Sequence, residues 1–369
     1  MNNLIFFKTT ADFDNTGEVL IYKSLLNYLR CYGDVIISDS SNIQPLFLDR
    51  IGIKDNERLS THTGNSFIIY LLKKCITNRN RIWLVSGVGD HKISGINGVL
   101  KNIISFLFII LLRIMGAKVL RIGMSIRFGG KLEEFSEKLL SSVINFYYVR
   151  DSISFENCKV AGISNCKVAP DLSWGYQIQC DESQDKRHYV IFSFRDYFEK
   201  QSQSKDYKKK IEGVIATLIE YLSEKSDKYT ILFTYQCPQD YKFMSEIRDT
   251  IRNYNISVVG ELVTLENAHK YYGNALFILS NRLHVILLGY KYGSPTLCLS
   301  DIKKHSKIKG ILSDNGLDEL FIDINQQPSA IVNRLASIIS HLKDVEKKYK
   351  IAEIHNRGIL DSTFKGIFE

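Results

Sequence analysis

The sequence predicts an α/β protein made of two Rossmann-like domains facing a cleft. Three observations carry this expectation. Short apolar segments alternate with segments of helical period. The alternation runs through two stretches separated by a polar, aperiodic one. The strand-like segments end abruptly in Gly, Asn, Asp or Arg. With 369 residues, 45% hydrophobic and 24% charged, the chain has material for two cores, and disordered or collagen-like architectures are excluded.

In the first stretch, 4–7 reads as a short apolar strand. Segment 18–30 places Val19, Leu20, Leu25, Leu26 and Leu29 at helical spacing. Strands follow at 35–38, 82–86, 118–123, 146–149 and 167–169, with helices at 99–113, 131–144 and from Ser152. Segment 177–188 is polar, has no period and reads as a linker. The alternation then restarts. Strands are expected at 189–193, 229–234, 257–259, 275–279, 296–299 and 320–323. Helices are expected at 207–223, 240–254, 265–272, 283–292 and 329–351. Gly293-Ser294-Pro295 ends the helix before it. The expected domains are therefore 1–176 and 189–340, with 341–369 a C-terminal helix that packs back on the first.

Lys and Arg number 48 against 40 Asp and Glu, a formal charge of +8. The densest basic runs, 208–210, 303–309 and 347–350, read first as solvated faces. The excess suits small anionic substrates or an anionic membrane surface better than duplex nucleic acid, and no nucleic-acid-binding motif is present. Seven cysteines without a C-x-x-C argue against a disulfide framework and against zinc. No basic n-region precedes the short apolar N-terminal run, so a cytoplasmic protein is expected. Segment 103–112 is the longest apolar run. Ten helical residues span about 15 Å, half a hydrocarbon core. It reads either as a buried core helix or as a helix in the membrane interface, reaching a lipid-linked substrate.

The chemistry-bearing residues sit at strand ends. Ser280-Asn281-Arg282-Leu283-His284 closes an apolar strand and opens a helix, which puts Arg282 at the positive helix end and His284 in its first turn. Ile191-Phe192-Ser193-Phe194-Arg195 ends the strand that starts the second half. Two arginines on one rim can clamp a small dianion. Equally, Arg282 can pair with a carboxylate, His284 can be a packed histidine, and Arg195 can bridge Asp196 or Glu199. In the first half, Asn15-Thr16-Gly17-Glu18 and Ser86-Gly87-Val88-Gly89 follow strands and let backbone approach a ligand. Neither is a dinucleotide fingerprint, and Gly129-Gly130-Lys131 is not a P-loop. Arg150-Asp151-Ser152 and Pro170-Asp171 mark two further strand ends, where Asp151 or Ser152 reads as a helix cap.

Taken in order, Asp14–Glu18, Ser86–Gly89, Val149–Ser154, Ala169–Asp171, Phe194-Arg195, Asn281–His284, Gly293–Pro295 and Lys303-Lys304 resemble the polysaccharide pyruvyl transferases over most of the chain. The opening loop departs from the family's N-x-G-D-E form, since Thr16-Gly17-Glu18 lacks the Asp. The resemblance implies a fold similar to GT-B glycosyltransferases. It also implies transfer of pyruvate, as a ketal, from phosphoenolpyruvate to two hydroxyls of a sugar. On that reading Arg195, Arg282 and His284 are catalytic. Ser193, Leu283 and Lys304 bind substrate. Asn15, Gly17, Glu18, Gly87, Gly89, Arg150, Asp151 and Asp171 stand near the acceptor. No metal or cofactor is expected, phosphoenolpyruvate being a co-substrate. The acceptor is expected to be lipid-linked, with possible peripheral contact with the inner membrane surface. The alternatives are a nucleotide-sugar-dependent GT-B glycosyltransferase and a non-catalytic glycan-binding relative.

Overall fold

The computed structural model describes residues 2–9, 14–39, 45–178, 189–196, 204–225, 230–251, 254 and 256–369. The chain divides into two compact units. The first comprises Met1–Phe13, Glu18–Tyr176 and His355–Glu369; the second comprises Asp14–Gly17 and Gln177–Ile354. From residue 179 onward the expected linker lies outside the described residues.

The first unit begins β1 (Asn3–Phe7), α1 (Thr16–Arg30), β2 (Gly33–Ile37), α2 (Pro45–Arg50), α3 (Phe67–Thr77) and β3 (Ile82–Ser86). It continues with β4 (Gly89–Ile93), α4 (Gly95–Ile114), β5 (Lys118–Phe128), α5 (Lys131–Ser141), β6 (Phe146–Val149), α6 (Ser152–Val160) and β7 (Cys166–Val168). The strands form a parallel sheet in the order β2-β1-β3-β5-β6-β7. Covered on both faces, its strands can be continuously apolar, and Ile5, Phe6 and Phe7 are all buried. Ile109 of α4, Leu140 of α5 and Cys158 of α6 share one core cluster; Leu71 of α3 and Leu112 of α4 share another. These four helices thus line one face. On the other, Trp83 packs at a tilt against Phe368, and Tyr28 of α1 stacks on Phe364.

Two expectations change here. The segment after β3 is not simply a loop. Gly87 and Gly89 take φ of 87° and 98°, and the chain resumes as β4 beside the second half of β5, which runs on to Phe128. Both glycines adopt backbone that other residues rarely tolerate. The apolar helix, expected over 99–113, has 20 residues and is about 30 Å long. Asn102, Ile109 and Leu112 are its buried residues. Ile96, Leu100, Ile103, Ile104, Leu107, Leu111 and Ile114 are exposed on the opposite side. A core-helix reading does not survive this pattern. By length and composition the helix is able to cross a membrane.

The second unit runs β8 (Tyr189–Ser193), α7 (Ser204–Lys225), β9 (Thr230–Phe233), α8 (Pro238–Thr250), β10 (Ile256–Val258), α9 (Ala268–Tyr272) and β11 (Ala275–Ser280). Then come α10 (Leu283–Lys291), β12 (Thr296–Ser300), α11 (Ser306–Ser313), β13 (Phe321–Asp323), α12 (Pro328–Ile339) and α13 (Leu342–Phe368). The sheet is parallel, in the order β10-β9-β8-β11-β12-β13. That is the doubly wound order, reversing between β8 and β11. The single helix expected at 329–351 is two, parted at Ser340-His341. Their side chains turn back onto the carbonyl of Ser337 and compete with helix continuation.

Candidate active site

In a doubly wound sheet the two crossovers leaving a switch point go to opposite faces, which opens a crevice beyond the carboxyl ends of the central strands. In the second unit those strands are β8 and β11. Ser193 and Ser280 pair in register, so Arg195 and Arg282 each stand two residues past the same rung. Ser280 Oγ donates to the Ser193 carbonyl at 2.6 Å. Asn281 holds the extensions together. Its Oδ1 accepts from the Arg195 amide at 2.9 Å. Its Nδ2 donates to the Arg195 carbonyl at 2.9 Å and to the Tyr207 hydroxyl at 2.8 Å. The two arginines therefore leave the sheet side by side.

Their side chains are engaged differently. Arg282 forms a buried ion pair with Asp240, in the first turn of α8. Burial opposes its charge, but the Asp240 carboxylate outweighs burial and holds its pKa above the usual arginine value. Arg195 is half-buried and lies near His305. His305 is buried at the start of α11. Burial first, with Arg195 contributing, lowers its pKa to about 3, so its imidazole is neutral near pH 7. The Tyr207 ring packs edge-on against it. Lys304, half exposed, has its Nζ 3.9 Å from Asp301. Leu283 and Ser193 are buried. The Ser193 hydroxyl has no hydrogen-bond partner among the described residues.

His284 occupies the first turn of α10, and its neighbour comes from the far end of the chain. The Thr16 amide donates to the Gln236 carbonyl at 3.0 Å, and Thr16 Oγ1 donates to that of Val263 at 2.8 Å. Asn15 Oδ1 accepts from the Gly17 amide at 3.0 Å. This seats Asn15-Thr16-Gly17 in the second unit. A Cβ on Gly17 would overlap the His284 ring, whose Cγ would lie 2.8 Å away. Asn15 and Gly17, expected among the loops of the first half, belong instead to the second unit, and Gly17 stands beside the imidazole.

The first unit has its own switch point, between β1 and β3. Glu18 and Gly89 meet there, the carboxylate 3.5 Å from where a Gly89 Cβ would lie. Behind Gly87 is a buried polar network. Arg121 pairs with Glu137 and donates to His91 Nε2 at 2.7 Å. Tyr147 OH and Asn102 Nδ2 donate to Glu137 at 2.8 and 3.0 Å. Burial alone would raise the Glu137 pKa, but Arg121 overrides it and takes the pKa down to about 2. His91, Arg121 and Glu137 were not expected from the sequence. Their signal, a His two places past Gly89, is hidden when that segment is read as a loop.

Arg150, Asp151 and Asp171 turn inward. Arg150 donates to Asp171 and to Ser125 Oγ, each at 2.8 Å. Ser125 Oγ donates to Asp151 at 2.6 Å, and Asp151 caps α6 by accepting from the Ser154 amide at 2.7 Å. Asp171 accepts from the Ser173 amide and hydroxyl. All three are at most 3% exposed. The R-D-x-x-S run and the later P-D are thus one buried network joining the ends of β6 and β7. Among the described residues, no three His, Cys, Asp or Glu side chains gather as a metal site.

Two parallel doubly wound sheets, with polar motifs at both switch points, define a GT-B type α/β fold. Solved structures share it. A Listeria monocytogenes protein assigned as a UDP-N-acetylglucosamine 2-epimerase superposes with TM-score 0.61 at 12% identity, over 99% of this chain and 98% of that one. The Neisseria meningitidis UDP-GlcNAc 2-epimerase bound to UDP-GlcNAc gives 0.55 at 12% identity, over 98% and 100%. A TarM variant from S. aureus, in complex with fondaparinux, alpha-GlcNAc-glycerol and UDP, gives 0.52 at 11% identity, over 82% and 58%. These likenesses concern the fold. No curated protein matches the sequence significantly. The sequence pattern of the polysaccharide pyruvyl transferases matches residues 15–301, and the chain belongs to that family.

Proposed function

We propose that the protein transfers pyruvate from phosphoenolpyruvate to two hydroxyls of one sugar, forming a cyclic ketal on a polysaccharide precursor. One observation carries this reading. Arg195 and Arg282 extend side by side from the second sheet's switch point, and His284 follows Arg282 in the same α10 turn. Phosphoenolpyruvate carries a phosphate and a carboxylate on three carbons, and guanidinium groups recognise both. Arg195, past β8, and Lys304, past β12, meet the anion. Arg282, held by Asp240, fixes the strand end from which α10 starts, and the free amides of that helix N-terminus add positive potential.

The proton balance is simple. His284 gives a proton to the methylene carbon, leaving an oxocarbenium ion at the carbon bearing phosphate. A sugar hydroxyl adds there and returns its proton to the imidazole. The carbon–oxygen bond to phosphate breaks, the second hydroxyl adds, and its proton leaves with phosphate. The products are the ketal and inorganic phosphate, with no oxidation. Glu18 and the Gly87–Gly89 loop, at the first unit's switch point, are assigned to the acceptor. Arg150, Asp151 and Asp171 support that edge from within.

The test is mass spectrometry of candidate lipid-linked oligosaccharides after incubation with phosphoenolpyruvate. The expected product gains one pyruvate less one water, with matching phosphate release. His284→Ala should lower turnover by about 10²–10⁴-fold. Absence of acceptor-dependent phosphate release, or equal release by the variant, refutes the assignment. The UDP complexes among the fold relatives favour one second reading, a nucleotide-sugar transferase. It predicts that UDP binds and that phosphoenolpyruvate is ignored.

A further inference from the structure

The outward side of α4 is a stripe of large aliphatic residues running its whole length, with Ile104, Leu107 and Ile114 each more than 60% exposed. It does not end with that helix. Ile68, Ile69 and Ile76 on α3, and Leu132 and Phe135 on α5, are exposed in the same helical layer. Large aliphatic residues exposed together along one helical layer mark an interaction surface. Its charge says what for. From Ser66 to Lys118 the chain carries eight Lys or Arg and a single acid, Asp90, while α5 adds Lys131 and Lys138 against Glu133, Glu134 and the buried Glu137. Lys101 and Arg113 stand on α4 to either side of the stripe, where their stems can lie along apolar surface with the charges level with lipid headgroups.

We propose that the α3–α4–α5 face of the first unit seats on an anionic lipid bilayer, with α4 lying in the plane of the interface. Two competing arrangements fit less well. A membrane-spanning α4 would have to leave the sheet. Yet it joins β4 to β5, which pair with each other, and its buried Asn102 donates to Ser136 and Glu137 of α5. A second copy of the chain, docked about a two-fold axis, would set the same basic surface against itself. Apolar insertion and attraction of each cation to the surface, about 1 kcal/mol per Lys or Arg, act together only on an anionic membrane. The proposal does not rest on the pyruvyl reading, because binding is measured without substrate.

The experiment is flotation of the full chain with vesicles of phosphatidylcholine, alone or mixed with phosphatidylglycerol. The wild type is expected to float with the anionic vesicles, and about tenfold less with the neutral ones or in high salt. Ile104→Glu/Leu107→Glu should lower binding by on the order of tenfold or more, with its thermal melt unchanged. Lys73→Glu/Lys101→Glu should weaken binding to anionic vesicles alone. Ile351→Glu, on an exposed apolar residue of α13, should bind like the wild type. Wild-type protein that ignores anionic vesicles at low salt overturns the proposal, and so does an undiminished Ile104→Glu/Leu107→Glu variant. A dimer that this variant turns into monomer, with no vesicle binding by either, would identify the face as a protein interface and also overturns it.

Discussion

Gly17 is the point at which two distant motifs touch. It sits in the first turn of α1 with no positive φ, so conformational freedom is not the reason for glycine there. The reason is space, since the His284 ring occupies the volume a methyl group would need. Gly17→Ala must therefore move the imidazole, a rigid group with few other rotamers at the start of a helix. Misplacing a catalytic group by about 1 Å can cost on the order of 10²-fold. Gly17→Ala is expected to lower kcat by that order while KM for phosphoenolpyruvate changes little, because Arg195 and Lys304 stay in place. Steady-state phosphate release checks it. A variant whose kcat stays within threefold of wild type would remove His284 from the chemistry.

Among the elements, α10 carries the most. Leu283, Val285, Ile286, Leu287 and Leu288 are buried, and together they point to every side of the helix, so it is enclosed and its first turn is held still. Gly289 lets it come that close. A Cβ there would lie 2.7 Å from Ile278 Cδ1 on β11 and would collide with Thr296 on β12. Gly289→Ala gains helix propensity, up to about 1 kcal/mol. Overpacking against two strands costs about 1–3 kcal/mol, and the clash should win. The expected result is a lower urea midpoint at unchanged m-value. A raised midpoint would mean that α10 shifts without resistance.

For the molecule as a whole, acid sensitivity follows from two buried groups. Glu137 has its pKa depressed to about 2, so the stability it confers is complete above the ordinary carboxylate range and is lost as pH falls toward 2. His305, depressed to about 3, stays neutral in the folded chain while the unfolded chain takes up a proton below pH 6.5. Both effects have one sign. Stability should fall steadily from pH 6.5 downward, first through His305 and then through Glu137. Urea titrations at pH 7, 5.5 and 4 should show the midpoint dropping at each step. Glu137→Gln leaves Arg121 buried without its partner and should cost about 3–5 kcal/mol at pH 7. It should also flatten the dependence below pH 4.5. A midpoint indifferent to pH would show that neither group is buried as described.

The doubly wound α/β class, most element positions and the strand-end placement of the motifs were legible in the sequence. These properties are local. Strand and helix periods are written in neighbouring residues, and a parallel sheet forces its functional loops to the carboxyl edge. The rest required the folded chain, because it rests on contacts between remote residues. Thr16 bonds to Val263 across 247 positions, and that anchors Gly17 against His284. Nothing in Arg282's own segment says that Asp240 neutralises it, and nothing in R-D-x-x-S says that its charges point inward. The apolar period of α4 was visible. Which of its sides meets solvent was not, since an amphipathic pattern records that two faces differ and packing alone chooses the covered one.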